Sequence, residues 1–212
     1  MELARLDTGA LLVDAAMLDV PPWRLVPPEG AVAEDGLTAR AAFAGLGGAA
    51  ALRHIVVGMI GPREARASQR AAAERIAFAL GGLGLTLICG GRTGVMEAAS
   101  KGCSEAGGLM IGILPGSTPE GANAHVAIPL PTGLGEARNM VIAKSARVLI
   151  AVGGSYGTLS EVAYGLHFDK PVIGLEAAPD VPGVTHVDGP DAAVEAALGA
   201  LLATAARDLP SM

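Results

Sequence analysis

The sequence predicts a doubly wound α/β fold, a parallel sheet with helices on both faces, preceded by a short N-terminal extension. Three observations predict it. From residue 53 onward, short runs of apolar, largely branched residues alternate with helical stretches, which implies right-handed βαβ crossovers. Hydrophobic residues make up 51% of the chain but aromatics only 3%, so the core is built from Ala, Val, Leu and Ile, a mixture suited to strands covered on both faces. Glycine-bearing loops follow three of the apolar runs, at 58–62, 90–94 and 153–157. In such a sheet these loops gather at one edge, where ligands bind.

The elements follow in order. Residues 1–52 form the extension, with short strands over 10–14 and 23–26 set apart by Pro21, Pro22, Pro27 and Pro28, and an Ala-rich helix over 38–52 weakened by Gly45, Gly47 and Gly48. Residues 53–212 form the main domain. Residues 54–60 read as a buried strand and 67–83 as an amphipathic helix with Arg70, Glu74 and Arg75 on its wet side. A strand over 85–89 leads through the 90–94 loop into a helix ending near 106, and a third strand covers 109–114. A short strand at 126–128 precedes a helix over 136–146. The strand at 148–152 opens into the 153–157 loop and a helix to about 167. Strands at 171–175 and 184–187 and a helix over 191–206 complete the chain.

The net charge of −6 among 212 residues argues against a nucleic-acid surface, which needs a basic footprint. A small phosphate ligand is still compatible, since backbone N–H groups can hold it. Cys89 and Cys103 are too few for a disulfide framework and fit a reducing compartment. No apolar run reaches membrane-spanning length and no secretory signal is visible, so the sequence predicts a soluble, cytoplasmic protein. His54, His125, His167 and His186 lack metal-ligand spacing, and no metal site is expected.

Two loops carry chemistry. Gly153, Gly154, Ser155, Tyr156, Gly157 and Thr158 run from strand end to helix start, an arrangement that aims N–H groups and the positive helix end at an anion. Thr158 to Glu161 also fits a capping box, with Glu161 reaching back to the cap; the local pattern supports both. Gly90, Gly91, Arg92, Thr93 and Gly94 repeat the strand–loop–helix geometry, with Thr93 as the expected N-cap. Arg138 and Asn139 lie near the start of the helix before the 148–152 strand. Gly45-Leu-Gly-Gly-Ala-Ala50 matches a dinucleotide fingerprint but precedes a strand, so it lacks the required context, and no P-loop motif occurs.

The segments 89–97, 132–139 and 153–161 together resemble the Lonely Guy superfamily, whose members often carry the label "possible lysine decarboxylase" and include cytokinin-nucleotide phosphoribohydrolases and molybdenum-cofactor carrier proteins. The resemblance covers residues 54 to 176. It implies a Rossmann-like fold, a homo-oligomer (dimer or tetramer), and a ligand phosphate in the 153–158 loop. In the hydrolase branch the last motif reads Pro-Gly-Gly-x-Gly-Thr-x-x-Glu, preceded by an Arg-Lys pair. Arg138, Gly154, Gly157, Thr158 and Glu161 match that pattern. Gly153 takes the proline position, Ser155 the second glycine and Asn139 the lysine, a set closer to the molybdenum-cofactor carriers. The resemblance thus implies either a carrier of a pterin cofactor or, with Arg138 and Glu161 as catalytic residues, a nucleoside 5′-monophosphate phosphoribohydrolase. No cofactor is required in either case. A literal lysine decarboxylase needs a Schiff-base lysine, and Lys101, Lys144 and Lys170 all lie away from such a loop.

Overall fold

A computed structural model describes residues 1–6, 11–13, 16–19, 24–26, 32–46 and 49–207. The N-terminal segment contains β1 (Leu3–Leu6), β2 (Leu11–Val13), β3 (Ala16–Asp19), β4 (Arg24–Val26) and β5 (Val32–Glu34). They form one antiparallel sheet in the order β4-β3-β2-β1-β5. The expected strands at 10–14 and 23–26 correspond to β2 and β4; Ala10, Asp14, Trp23 and the two proline pairs lie outside the described residues. The extension is thus a sheet of five strands rather than two isolated ones. Strands of three or four residues carry too little periodicity to be read individually.

The expected helix over 38–52 is two, α1 (Ala39–Ala44) and α2 (Ala49–Leu52). Thr38 caps α1, its Oγ1 accepting from Ala41 N at 3.2 Å, and Gly45 ends it. Gly47 and Gly48 lie outside the described residues.

The main domain then runs β6 (Val56–Ile60), α3 (Ala67–Gly82), β7 (Thr86–Cys89), α4 (Val95–Glu105), β8 (Leu109–Leu114), β9 (Ile128–Pro131), a 3-10 turn (Gly135–Ala137), α5 (Arg138–Ser145), β10 (Val148–Val152), α6 (Tyr156–His167), β11 (Val172–Leu175), β12 (Val184–His186) and α7 (Pro190–Arg207). Its sheet has the order β12-β11-β10-β6-β7-β8-β9, with every pair parallel. This is the doubly wound, Rossmann-like fold that the sequence predicts.

Strand alternation divides the core between the two faces. Val148, Ile150 and Val152 join Val57, Met59 and Leu87 in one buried cluster with Ile76 and Leu80 of α3, Ala99 of α4 and Leu198 of α7. Leu3, Leu11, Val13 and Leu18 of the N-terminal sheet belong to that same cluster. Leu149 and Ala151 point the other way, packing with Ile60, Ile88 and Ile113 against Ile142 of α5 and Val162 of α6.

Two boundaries differ from the sequence reading. The strand expected at 126–128 is β9, two residues later, and it contains Pro129 and Pro131. Proline cannot donate to a ladder, and β9 tolerates it because it sits at the sheet edge, paired among the described residues only with β8. The helix expected over 136–146 begins as the 3-10 turn and becomes α-helical only at Arg138.

The strand order places the topological switch point between β6 and β10. After β6 the sheet grows through β7, β8 and β9; the chain then returns to β10 on the other side of β6. The crevice outside the carboxyl ends of β6 and β10 is where a sheet of this kind receives a ligand.

Candidate functional site at the switch point

The loop after β10 is clamped from below. Gly153 has φ +72°, and the position a Cβ would take there is filled by the amide of Gln69. Gln69 is buried; its Oε1 accepts from Arg66 N at 2.9 Å and its Nε2 donates to Glu176 O at 3.0 Å. Only glycine combines this φ with this close approach. A Cβ on Gly154 would meet Ala177 O at 3.1 Å.

Ser155 is the N-cap of α6. Its Oγ accepts from Thr158 N at 3.2 Å and lies 3.0 Å from Thr158 Oγ1. The first N–H groups of a helix have no intrahelical partner. With that of Thr158 taken by Ser155, those of Tyr156 and Gly157 remain to face an anion at the positive end of the helix. The cap also rules out the capping-box reading of Glu161. A box starting at Ser155 has its third position at Thr158, so Glu161 does not cap the helix.

Glu161 is instead a buried carboxyl, 6% exposed. Burial pushes its pKa up to about 8, against the pull of the positive Arg138 and with a further push from Glu136. Arg138 is 5% exposed; burial lowers its pKa, and the charge of Glu161 opposes that. Its Nη1 donates to Ile113 O at 3.0 Å, while its Nε has no partner. The neighbouring Asn139 donates from Nδ2 to Ser160 Oγ at 2.9 Å and to Gly157 O at 3.4 Å, and Ser160 Oγ in turn donates to Gly157 O at 2.7 Å. Its Oδ1 is also unpartnered. Among the described residues these two adjacent side chains carry the orphaned buried polar atoms, and such atoms call for an explanation. Both side chains line the ligand-sized cavity described next.

That cavity, of about 980 Å³, brings together Arg138, Asn139, Glu161 and the residues from Gly154 to Thr158. Gly61, Pro62, Arg63, Glu64, Met96, Glu136 and Ser160 complete it. The sequence pointed to the loop of Gly61 and Pro62, which Arg63 and Glu64 directly follow; Met96, Glu136 and Ser160 lie within the segments that carry the family resemblance, with no role assigned to them.

The 90–94 loop is not part of this cavity's lining, although Gly94 lines a second depression that shares Arg63 and Glu64 with it. Gly90 lies against the guanidinium of Arg138. Gly91 has φ +68°, and its N–H donates to Cys89 Sγ at 3.2 Å. Arg92 is half-buried and its carbonyl accepts from Asn123 Nδ2 at 2.9 Å. Gly94, with φ +72°, packs on the carbonyls of Pro62 and Arg63 and is itself the N-cap of α4. Thr93 is exposed and caps nothing, contrary to expectation. Burial raises the pKa of Cys89 and pushes that of Cys103 up to about 12, so both thiols are structural. No group of three or more His, Cys, Asp or Glu among the described residues is arranged to hold a metal ion. No helix among them is long and apolar enough to cross a membrane.

The sequence pattern of the SLOG cluster4 family matches residues 54–198. The chain belongs to this family. An uncharacterized protein of Archaeoglobus fulgidus is 38% identical over 138 residues, 65% of this chain and 91% of that one. Among solved structures, the molybdenum cofactor carrier protein of Chlamydomonas reinhardtii is 37% identical with a TM-score of 0.65, covering 71% of this chain and 99% of its own. The molybdenum cofactor binding protein of the phototrophic bacterium Rippkaea orientalis is 36% identical with a TM-score of 0.64, covering 68% of this chain and 94% of its own. The SLOG cluster4 match begins at residue 54, so the N-terminal five-stranded sheet lies outside it.

Proposed function

We propose that this protein binds a phosphate-bearing pterin, the molybdenum cofactor, as a carrier, with the phosphate on the 154–158 loop and the α6 N-terminus. The cofactor is cargo and no bond to it is broken. The observation that carries this reading over the enzymatic one is the 36–37% identity to two molybdenum cofactor proteins; a raised carboxyl at Glu161 fits either a ligand-binding acid or a catalytic general acid. A phosphoribohydrolase develops positive charge on the ribose, and a carboxylate offsets it or activates water. Glu161 is buried, and burial pushes its carboxyl up to about 8 against the pull of Arg138. A neutral acid can donate a hydrogen bond to a ligand oxygen but supplies no negative charge. The likeness to the two cofactor-binding proteins runs over nearly their full length. Asn139 and Ser155, at the positions where the hydrolase pattern has lysine and glycine, support the carrier reading too.

The second reading, nucleoside 5′-monophosphate hydrolysis, is kept by one observation: Arg138 and Glu161 share the cavity with the phosphate loop. In either case we infer a cytoplasmic homo-oligomer. The exposed apolar side chains of Met140 on α5 and Tyr156 and Leu159 on α6 offer a surface for a second copy. Mass spectrometry of ligand released from freshly purified protein tests the carrier reading. A pterin supports it; release of free adenine and ribose 5-phosphate from adenosine 5′-monophosphate, with no pterin bound, overturns it.

A further inference from the structure

The cavity that the phosphate loop lines also carries an ion pair. Arg63, on the loop after β6, and Glu136, in the 3-10 turn before α5, approach at 3.8 Å between Nη2 and Oε1. Their side chains are 52% and 68% exposed, and both line the cavity. At 3.8 Å they are not hydrogen-bonded to each other, and both keep free capacity: a guanidinium has five N–H donors and a carboxylate four acceptor positions. A ligand anchored by its phosphate at Gly154 to Thr158 shares the cavity with this pair and with Met96, whose thioether is a polarizable surface for a ring.

Resting on the phosphate-loop reading above, we propose that Arg63 and Glu136 recognise the heterocycle of the ligand and select a 2-amino-4-oxopyrimidine edge, the edge that pterins share with guanine. That edge presents, in order, a carbonyl acceptor, a ring N–H donor and an amino donor. A guanidinium next to a carboxylate is its complement: Arg63 donates to the carbonyl while Glu136 accepts from the two N–H groups. Adenine presents an amino donor beside a bare ring nitrogen, which sets a lone pair against the carboxylate and leaves Arg63 without a carbonyl. Paired donor and acceptor contacts of this kind discriminate between bases by roughly fivefold to 150-fold.

The experiment is calorimetric titration of the full chain with guanosine 5′-monophosphate, adenosine 5′-monophosphate and inorganic phosphate. Wild-type protein is expected to bind the guanine nucleotide at least ~10-fold more tightly than the adenine one. Glu136→Gln and Arg63→Ala should bring the two nucleotides to within about threefold of each other, while any change in affinity for inorganic phosphate should be shared by both nucleotides. Both side chains are more than half exposed, so both variants should fold, and Glu136→Ala is the second acidic-side variant. Equal affinity for the two nucleotides in wild-type protein, or a guanine preference that persists in the Glu136 variants, overturns the inference and leaves the phosphate-loop reading intact. Failure of folded wild-type protein to bind phosphate or either nucleotide overturns both.

Discussion

The guanidinium of Arg138 occupies the space that a side chain on Gly90 would need. The 90–94 loop therefore acts on the site through Arg138, which reaches across from the start of α5 to donate to Ile113 O on β8. Gly90→Ala should expel the guanidinium from this position and break that bond. Losing a hydrogen bond from a buried charged donor costs about 1.5–3 kcal/mol. Urea denaturation should report a loss of that order, accompanied by weaker phosphate binding because Arg138 no longer lies on the cavity floor.

Gly157 predicts the opposite split. It lies in the first turn of α6, and a Cβ there would meet Ser155 Oγ at 3.7 Å and Asn139 Nδ2 at 3.9 Å, both ordinary contacts. The motif alone implies that a methyl would crowd the turn; the structure has room for it. Gly157→Ala should leave the unfolding midpoint unchanged or raise it, since alanine is favoured over glycine in a helix by up to about 1 kcal/mol. Phosphate affinity should nevertheless fall by about tenfold, because the methyl projects where the anion approaches the N–H groups. Thermal melts and phosphate titration of the same variant check both halves.

The contrast between these two glycines explains what the sequence could and could not reveal. Periodicity located β8 and β10 to the residue, because buried parallel strands read as unbroken apolar runs. It misplaced β9, whose prolines argue against a strand unless its edge position is known. The motif at 153–158 was legible because cap, loop and helix are contiguous in the chain. The rest of the lining was not, since Arg63, Met96 and Glu136 come from three separate crossovers and share a cavity only when the sheet is wound. Gly90 and Gly157 look alike in a pattern; only the neighbour across space tells them apart.

Ser155 separates stability from chemistry. As the N-cap of α6 it supplies the hydroxyl that accepts from Thr158 N. Ser155→Ala should cost about 1 kcal/mol and Ser155→Gly only a few tenths, since glycine tolerates the cap position. Ser155→Gly also restores the glycine of the hydrolase pattern. On the carrier reading this variant still binds phosphate and releases no adenine from adenosine 5′-monophosphate, which chromatography of the reaction mixture checks.

Glu161 gives the sharpest pH signature. In the unfolded chain its carboxyl ionises near its ordinary value of 4.5; in the folded protein burial holds the proton until about pH 8. Between these values the native state binds a proton that the unfolded state has lost, so stability falls as pH rises, by about 1.4 kcal/mol per pH step attributable to this group. Its contribution is fully present below pH 4.5 and is gone once the pH has passed through 8. Glu161→Gln removes the titration and keeps the shape. The difference in unfolding free energy between wild type and Glu161→Gln, measured by urea denaturation from pH 5 to pH 9, should therefore shift steadily in favour of the variant up to about pH 8 and then level off. Binding follows the same sign. An anionic ligand meets a neutral acid below pH 8 and a carboxylate above it, so phosphate affinity in wild type should drop across pH 8 while that of Glu161→Gln stays flat. Parallel stability curves for the two proteins would mean that Glu161 is already ionised at neutral pH. In that case the carboxylate that glycosidic cleavage uses would be present at neutral pH, which favours the hydrolase reading.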